Sequence, residues 1–240
     1  MNLAVIRPFL PRTLTRPIGL FMIYAMIKKT WGGRREGAGA KRKLRSGVSH
    51  LEREDPRGRP VHVTVKLRRG LPRLRNKKAY RLLRDAFVKG CDRFGFRLCQ
   101  YSVQNNHLHL IVEGEDRVAI SRGMQGLLVR IAKGLNRIWG RRGKVFADRY
   151  HDRVLKSDAQ LRRALAYVLN NSRRHGLKLR WPVDLFSSAP WFTGWTTHRG
   201  YDHLVADVPI PIADPFPRSH WKAWMLYSRI RPEEVPGPKG

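Results

Sequence analysis

In the run from His107 to Val112, two histidines alternate with leucines before an apolar end. This alternation constrains the fold more than any other feature. In a strand, leucine and valine then share one face, while His107, His109 and Ile111 share the other. The two imidazoles therefore project together from one face of a sheet. An H-x-H pair is more often structural than functional. Because neutral imidazole is the commonest protein ligand for metals, the pair also predicts a two-nitrogen clamp that needs a further ligand.

The sequence around this strand predicts an α+β fold. Apolar residues at every second position predict strands, and those three or four apart predict helices. The turn Asn105-Asn106 joins the histidine strand to the preceding strand as a hairpin. The predicted elements are a strand at 61–67, a helix at 76–94, strands at 96–103 and 107–112, a helix at 119–139, and a fourth strand or extended segment within 144–155. This β-α-β-β-α-β order predicts a ferredoxin-like sheet with helices on one face, followed by a later, C-terminal helix that begins near Ser157.

The charge balance points to a polyanionic partner. The chain has 49 Lys and Arg against 18 Asp and Glu, a formal net charge of +31. This is far more than solubility needs, so we expect nucleic acid, with an acidic membrane surface as the lesser alternative. The basic side of the 119–139 helix either lies in solvent or faces backbone phosphates. The two cysteines, Cys91 and Cys99, match no zinc or redox spacing, which fits a reducing cytoplasm.

Composition divides the chain into four segments. Residues 1–27 contain an apolar run of ten residues, too short to span a bilayer, and lysines stand where a signal peptide would have small residues. We interpret this segment as an over-extended reading frame, with Met22 or Met26 as the native start. Residues 28–60 are a basic flexible arm and linker, and 61–180 form the main folded domain. Residues 181–240 are a Trp- and Pro-rich extension that either packs on that domain or helps to read DNA.

The helix after residue 157 brings a phenol and an amide together. Ser157 and Gln160 form a capping box at its start. The apolar residues of this helix form a buried stripe along one face. Tyr167 and Asn171 lie one helical turn apart at the edge of that stripe. From there they can reach over a neighbouring sheet, although a structural role for Tyr167 is the simpler interpretation of the helix taken alone.

In combination, these motifs resemble the REP-associated tyrosine transposases, a branch of the single-tyrosine HUH transposases. The resemblance covers residues 60–180 and rests on Asn106-His107-Leu108-His109 followed, 58 residues after the second histidine, by Tyr167-x3-Asn171. One departure is Ser172 after Asn171, where such proteins usually have proline. This changes how the helix ends and not the expected ligand.

The resemblance implies a role for each of these residues. His107, His109 and Asn171 would bind Mg²⁺ or Mn²⁺, and this mixture of imidazole and oxygen suits those ions. Tyr167 would attack the scissile phosphate of single-stranded or hairpin DNA and form a 5′-phosphotyrosine. We accordingly expect a metal-dependent enzyme at the nucleoid in the cytoplasm, without membrane association. Both a monomer and a homodimer are compatible with the sequence.

Two alternatives belong to other functional classes. One is a non-enzymatic regulator that binds nucleic acid with the same scaffold. The other is a two-histidine RNA phosphoesterase, because His62-Val63-Thr64 and His107-Leu108-His109 resemble paired H-x-T/S motifs. That site needs a hydroxyl where His109 stands, and it leaves Tyr167 and Asn171 without a role.

Overall fold

A computed structural model describes residues 52–196, 201–216, 222 and 229–232. Residues 47–240 belong to one compact unit. The predicted N-terminal segment 1–27, most of the basic arm and parts of the C-terminal extension lie outside the described residues.

Five strands form one sheet with the order β2-β3-β4-β1-β5, in which all neighbours are antiparallel. The strands are β1 Val61–Lys66, β2 Asp92–Arg93, β3 Phe96–Val103, β4 His107–Gly114 and β5 His151–Val154. Without the two-residue β2, the order of the four predicted strands is second, third, first, fourth. This is the order of a split βαβ sheet, so the ferredoxin-like prediction is confirmed.

The helices divide between the two faces of the sheet. They are α1 Lys77–Val88, α2 Arg117–Ile138, α3 Asp158–Leu169 and the short α4 Asn171–Arg174. Side chains of α1 and α2 pack with Val63, Leu110 and their neighbours in the larger core. Residues of α3 pack with Ile111 and Cys99 on the other face. Both crossover helices thus share one face, and α3 lies on the face that carries the histidines.

Each long helix begins at a side-chain cap. Asn76 Oδ1 accepts a hydrogen bond from the Ala79 N–H at 2.9 Å, and Asp116 Oδ1 accepts one from the Ala119 N–H at 2.6 Å. Ser157 Oγ accepts from the Gln160 N–H at 3.3 Å, which confirms the predicted start of α3. These caps satisfy backbone donors that have no partner within the helix.

The first helix ends six residues before its predicted end, and Phe94 is not a core residue. Phe94 is 84% exposed. It forms with Gly95 the two-residue connection between β2 and β3, and both residues have positive φ, 52° and 72°. Tight hairpin turns of this length favour positive φ at both central positions. The β2–β3 hairpin therefore occupies the last residues of the range for which the apolar spacing predicts a helix.

Part of the C-terminal extension pairs with the outer edge of β3. Ser187 bridges Ser102 in antiparallel fashion, and Ser188 Oγ accepts from the Tyr101 N–H at 2.9 Å. Below this junction, the buried Asp184 carboxylate receives two hydrogen bonds from the Arg75 guanidinium, at 2.7 and 2.9 Å. The segment around residues 184–188 is thereby anchored to the sheet that carries the histidines.

Two glycines of α2 allow a direct comparison of packing and helix propensity. A Cβ on Gly123 would overlap Phe96 Cγ, whereas one on Gly126 would meet nothing within 4 Å. We expect Gly123→Ala to lower the free energy of unfolding by about 1–3 kcal/mol because the core there is already filled. Gly126→Ala should raise it by up to about 1 kcal/mol through helix propensity. Urea denaturation of the two variants measures both effects, and equal effects would contradict the described packing of α2.

Candidate active site

The face of the sheet that carries His109 has a row of polar side chains that crosses β3, β4, β1 and β5. In the antiparallel register, His109 of β4 lies opposite Ser102 of β3 and Thr64 of β1. Thr64 in turn lies opposite His151 of β5. Partners in an antiparallel pair project to the same face, so these side chains form one row.

Both ring nitrogens of His109 face polar atoms. Its Nδ1 lies 3.2 Å from Thr64 Oγ1 and 3.3 Å from His62 Nε2. Its Nε2 lies 3.5 Å from the phenol oxygen of Tyr167. The tautomer with the proton on Nδ1 can donate to Thr64 and leaves the Nε2 lone pair directed at Tyr167. Only 1% of His109 is exposed, so the surrounding packing holds this orientation.

His107 lies beside His109 but closer to solvent. The two ring centroids are 4.7 Å apart with nearly perpendicular planes. The Nδ1 of His107 donates a hydrogen bond to Asn106 Oδ1 at 2.8 Å, which leaves Nε2 as the acceptor nitrogen. A hydrogen bond on one ring nitrogen commonly orients the other nitrogen of a metal-binding histidine. The two predicted ligands are therefore brought together.

Tyr167 is half-buried in the last turn of α3, and its ring centroid lies 5.0 Å from that of His109. The Arg174 guanidinium carbon lies 5.5 Å from the centre of the Tyr167 ring. A positive charge therefore lies beside the phenol ring. Two other tyrosines lie in the core instead, where burial raises the pKa of Tyr80 to about 12 and raises that of Tyr101 well above its ordinary value.

Asn171 is placed differently from the sequence prediction. Helix α3 ends at Leu169, Asn170 forms its cap, and Asn171 begins α4, so Tyr167 and Asn171 do not share one continuous helix. Asn171 is also fully buried rather than at the edge of the apolar stripe. His175 directly follows α4, and its ring centroid lies 6.0 Å from that of His107.

The side-chain amide of Asn171 has the character of an unused ligand. Neither its Oδ1 nor its Nδ2 has a hydrogen-bond partner among the described residues. Buried polar atoms without a partner are rare and destabilising, so such an atom calls for a functional explanation. No group of three or more His, Cys, Asp or Glu within the described part of the chain could hold a metal ion. An amide oxygen added to His107 and His109 would fit the oxygen-preferring Mg²⁺ or Mn²⁺.

Several residues at this site were not predicted as site residues. His62 and Thr64 contact His109 from the neighbouring strand, although sequence reasoning used them only for the phosphoesterase alternative. Their alternation with Val61 and Val63 was the available signal, because it places both on one face of β1. Arg174 and His175 had no such signal, since their positions depend on the break between α3 and α4.

Thiol chemistry has no support at this site. Cys91 and Cys99 are both free, and burial raises the pKa of both thiols above the ordinary value. Cys99 packs with α3 in the smaller core, so it acts as a small apolar residue.

Comparison with known proteins identifies the segment that holds the site. Residues 61–171 match the family model described as "Transposase IS200 like". This part of the chain is similar to the IS200-like transposases. The matched residues include His62, both predicted histidine ligands, Tyr167 and Asn171. The match supports a transposase-like, DNA-processing function.

A solved structure and the curated proteins add little to this assignment. The chain is similar to a structure of a REP-associated tyrosine transposase bound to a REP hairpin, with 23% identity and a TM-score of 0.47 over 59% of this chain and 82% of that one. No curated protein matches significantly. Within the described residues, no helix of the protein is both long and apolar enough to cross a membrane.

The unpaired amide of Asn171 predicts an unusual effect on stability. Asn171→Leu replaces two buried, unpaired polar atoms with an apolar group of similar shape. We therefore expect it to raise the free energy of unfolding of the metal-free protein by about 1–3 kcal/mol. The neighbouring Asn170 is the matched control, because its Nδ2 donates to the Arg231 carbonyl at 3.0 Å. Asn170→Leu should destabilise the protein by about 1 kcal/mol. Chemical denaturation in EDTA distinguishes the two, and a strongly destabilised Asn171→Leu would contradict the unpaired state.

Proposed function

We propose that the protein is a metal-dependent, single-tyrosine HUH transposase of the REP-associated branch that cuts and rejoins single-stranded or hairpin DNA. The observation that carries this proposal is the contact between the Tyr167 phenol oxygen and His109 Nε2, inside the segment that matches the IS200-like transposases. The net charge of +31 supports a nucleic-acid substrate. Such an enzyme would work at the nucleoid in the cytoplasm.

The proposed reaction transfers a phosphoryl group to Tyr167. The phenolate oxygen attacks the scissile phosphorus, a tyrosine–phosphate bond forms, and the bond to the 3′-oxygen breaks. The electron pair of that bond leaves with the 3′-oxygen, which takes up the proton that the phenol lost and becomes a 3′-OH, while the 5′-phosphate stays on Tyr167. Attack by another 3′-OH reverses the step and joins new ends without ATP, because the covalent link conserves the energy of the phosphodiester.

The surrounding residues orient and charge the site. Thr64 and His62 hold His109 from the strand beside it, and Arg174 provides positive charge next to the phenol. His107, His109 and Asn171 would hold a divalent ion. When bound, that ion would polarise a non-bridging oxygen of the scissile phosphate.

The strand register weighs against the phosphoesterase alternative. His62 lies 3.3 Å from His109, which stands at the hydroxyl position of the second motif, whereas the histidine of that motif, His107, lies opposite Lys66. The second motif still has His109 in place of a hydroxyl, and the family match supports DNA processing. Specific hydrolysis of a 2′,3′-cyclic phosphate, with no covalent DNA adduct, would favour the phosphoesterase.

The nucleophile is tested by removing a single oxygen. With Mn²⁺ and single-stranded DNA carrying the host hairpin, the wild-type protein should form a covalent adduct that runs as a shifted band on a denaturing gel. Tyr167→Phe should abolish the band and retain DNA binding, because only the attacking oxygen is lost. Tyr150→Phe is the matched control, since the buried Tyr150 hydroxyl has no partner among the described residues. A persisting adduct in Tyr167→Phe would refute the assignment. Binding without an adduct under any metal would favour the regulator.

The third ligand can be tested without measuring activity. Mn²⁺ should raise the melting temperature of the wild-type protein, because an ion that binds only the folded state stabilises it. Asn171→Leu should weaken Mn²⁺ binding about tenfold or more, a change of about 1.4 kcal/mol or more. Asn170→Leu should keep the Mn²⁺-dependent shift even though it lowers the starting temperature. An unchanged Mn²⁺ titration in Asn171→Leu would exclude this residue as a ligand.

A further inference from the structure

Helix α3 leaves half of the histidine face of the sheet accessible. It packs against β3 and β4. On β1 and β5, the residues on the same face are half-buried or exposed, as their pairing with each other and with His109 shows. We call this part of the sheet the open strip, and it consists of His62, Thr64, Lys66, His151 and Arg153.

The open strip is basic and contains no carboxylate. Lys66, His151 and Arg153 are its exposed members. The single acid of β5, Asp152, projects to the opposite face, where it forms salt bridges with Arg53 at 3.0 Å and Arg117 at 2.9 Å. The acid nearest in sequence thus forms its salt bridges on the other side of the sheet.

The strip begins at the candidate active site and ends at a cavity. Lys66 lies directly opposite His107 in the β1–β4 register, and Thr64 lies opposite His109. At the far edge, His151 and Arg153 line a cavity of about 640 Å³ together with Arg149 and Lys156. Acidic groups also line this cavity, and two of them, Glu54 and Asp152, are engaged in salt bridges. Positive side chains therefore continue from the tyrosine to the edge of the sheet.

We propose that the open strip binds the phosphates of the single-stranded DNA segment that adjoins the scissile phosphate, with Lys66 and Arg153 as its principal contacts. This inference rests on the proposed function and names the path of its substrate. Two strands span about 10 Å, a width that accommodates one sugar–phosphate chain. Basic surfaces that follow a backbone, without reading bases, are typical of single-strand binding.

The strip is tested by the salt dependence of binding to an unstructured oligothymidylate. For single strands, each phosphate contact contributes about 0.7 to the slope of log K against log salt concentration. The double variant Lys66→Gln/Arg153→Gln should therefore bind more weakly and lower that slope by about 1.4. Fluorescence anisotropy over a range of salt concentrations measures it. A charge-retaining variant, Lys66→Arg/Arg153→Lys, should keep the wild-type slope.

A matched control carries the same charge change on the opposite face of the sheet. Lys78 and Arg81 of α1 are exposed beside a basic groove between α1 and α2. Lys78→Gln/Arg81→Gln should leave the slope unchanged, and both double variants should melt like the wild type because all four side chains are exposed. An unchanged slope in the strip variant, or an equal decrease of the slope in the control, would refute the binding of DNA phosphates by the open strip.

The outcomes separate this inference from the proposed chemistry. A lowered slope in the strip variant, with no covalent adduct from the wild type, would refute the chemistry and support the strip. An adduct from the wild type, with an unchanged slope in the strip variant, would refute the strip alone.

Discussion

The antiparallel pairing of β1 with β4 is the interaction on which the site depends. It places Thr64 opposite His109 and Lys66 opposite His107. A slip of one residue would turn every side chain of a strand to the other face. That slip is opposed by the core on the reverse side, where the valines of β1 and the leucines of β4 are fully buried. The hydrophobic effect on one face thus determines which polar groups meet on the other.

The site keeps polar groups in places where packing alone would favour apolar ones. His109 and Asn171 are almost completely buried. His109 is compensated by contacts from Thr64, His62 and Tyr167, whereas the Asn171 amide has none among the described residues. Buried networks are stabilising when complete and unfavourable when incomplete. In the proposed function, a divalent ion would bind the unpaired amide oxygen of Asn171.

The two faces of the sheet divide structural and chemical roles. Helices α1 and α2 cover one face with a continuous apolar core. On the other face, α3 covers only β3 and β4 closely and presents Tyr167 at its last turn. A reactive tyrosine at the border between a packed and an accessible surface can be oriented by its neighbours and still reach a polymer substrate. The proposed path for DNA follows directly from this asymmetry.

The sequence by itself determined the element order, the split βαβ topology and the shared face of His107 and His109, because alternation and helical periodicity are local properties of the chain. It also indicated Tyr167 as the residue to join them. Only the tertiary structure decided the end of α1 at Val88, the break between α3 and α4, the burial of Asn171 and the contacts of His62 and Thr64 with His109. Those features depend on a tight hairpin, on a cap and on strand register, which are set by contacts between residues far apart in the chain.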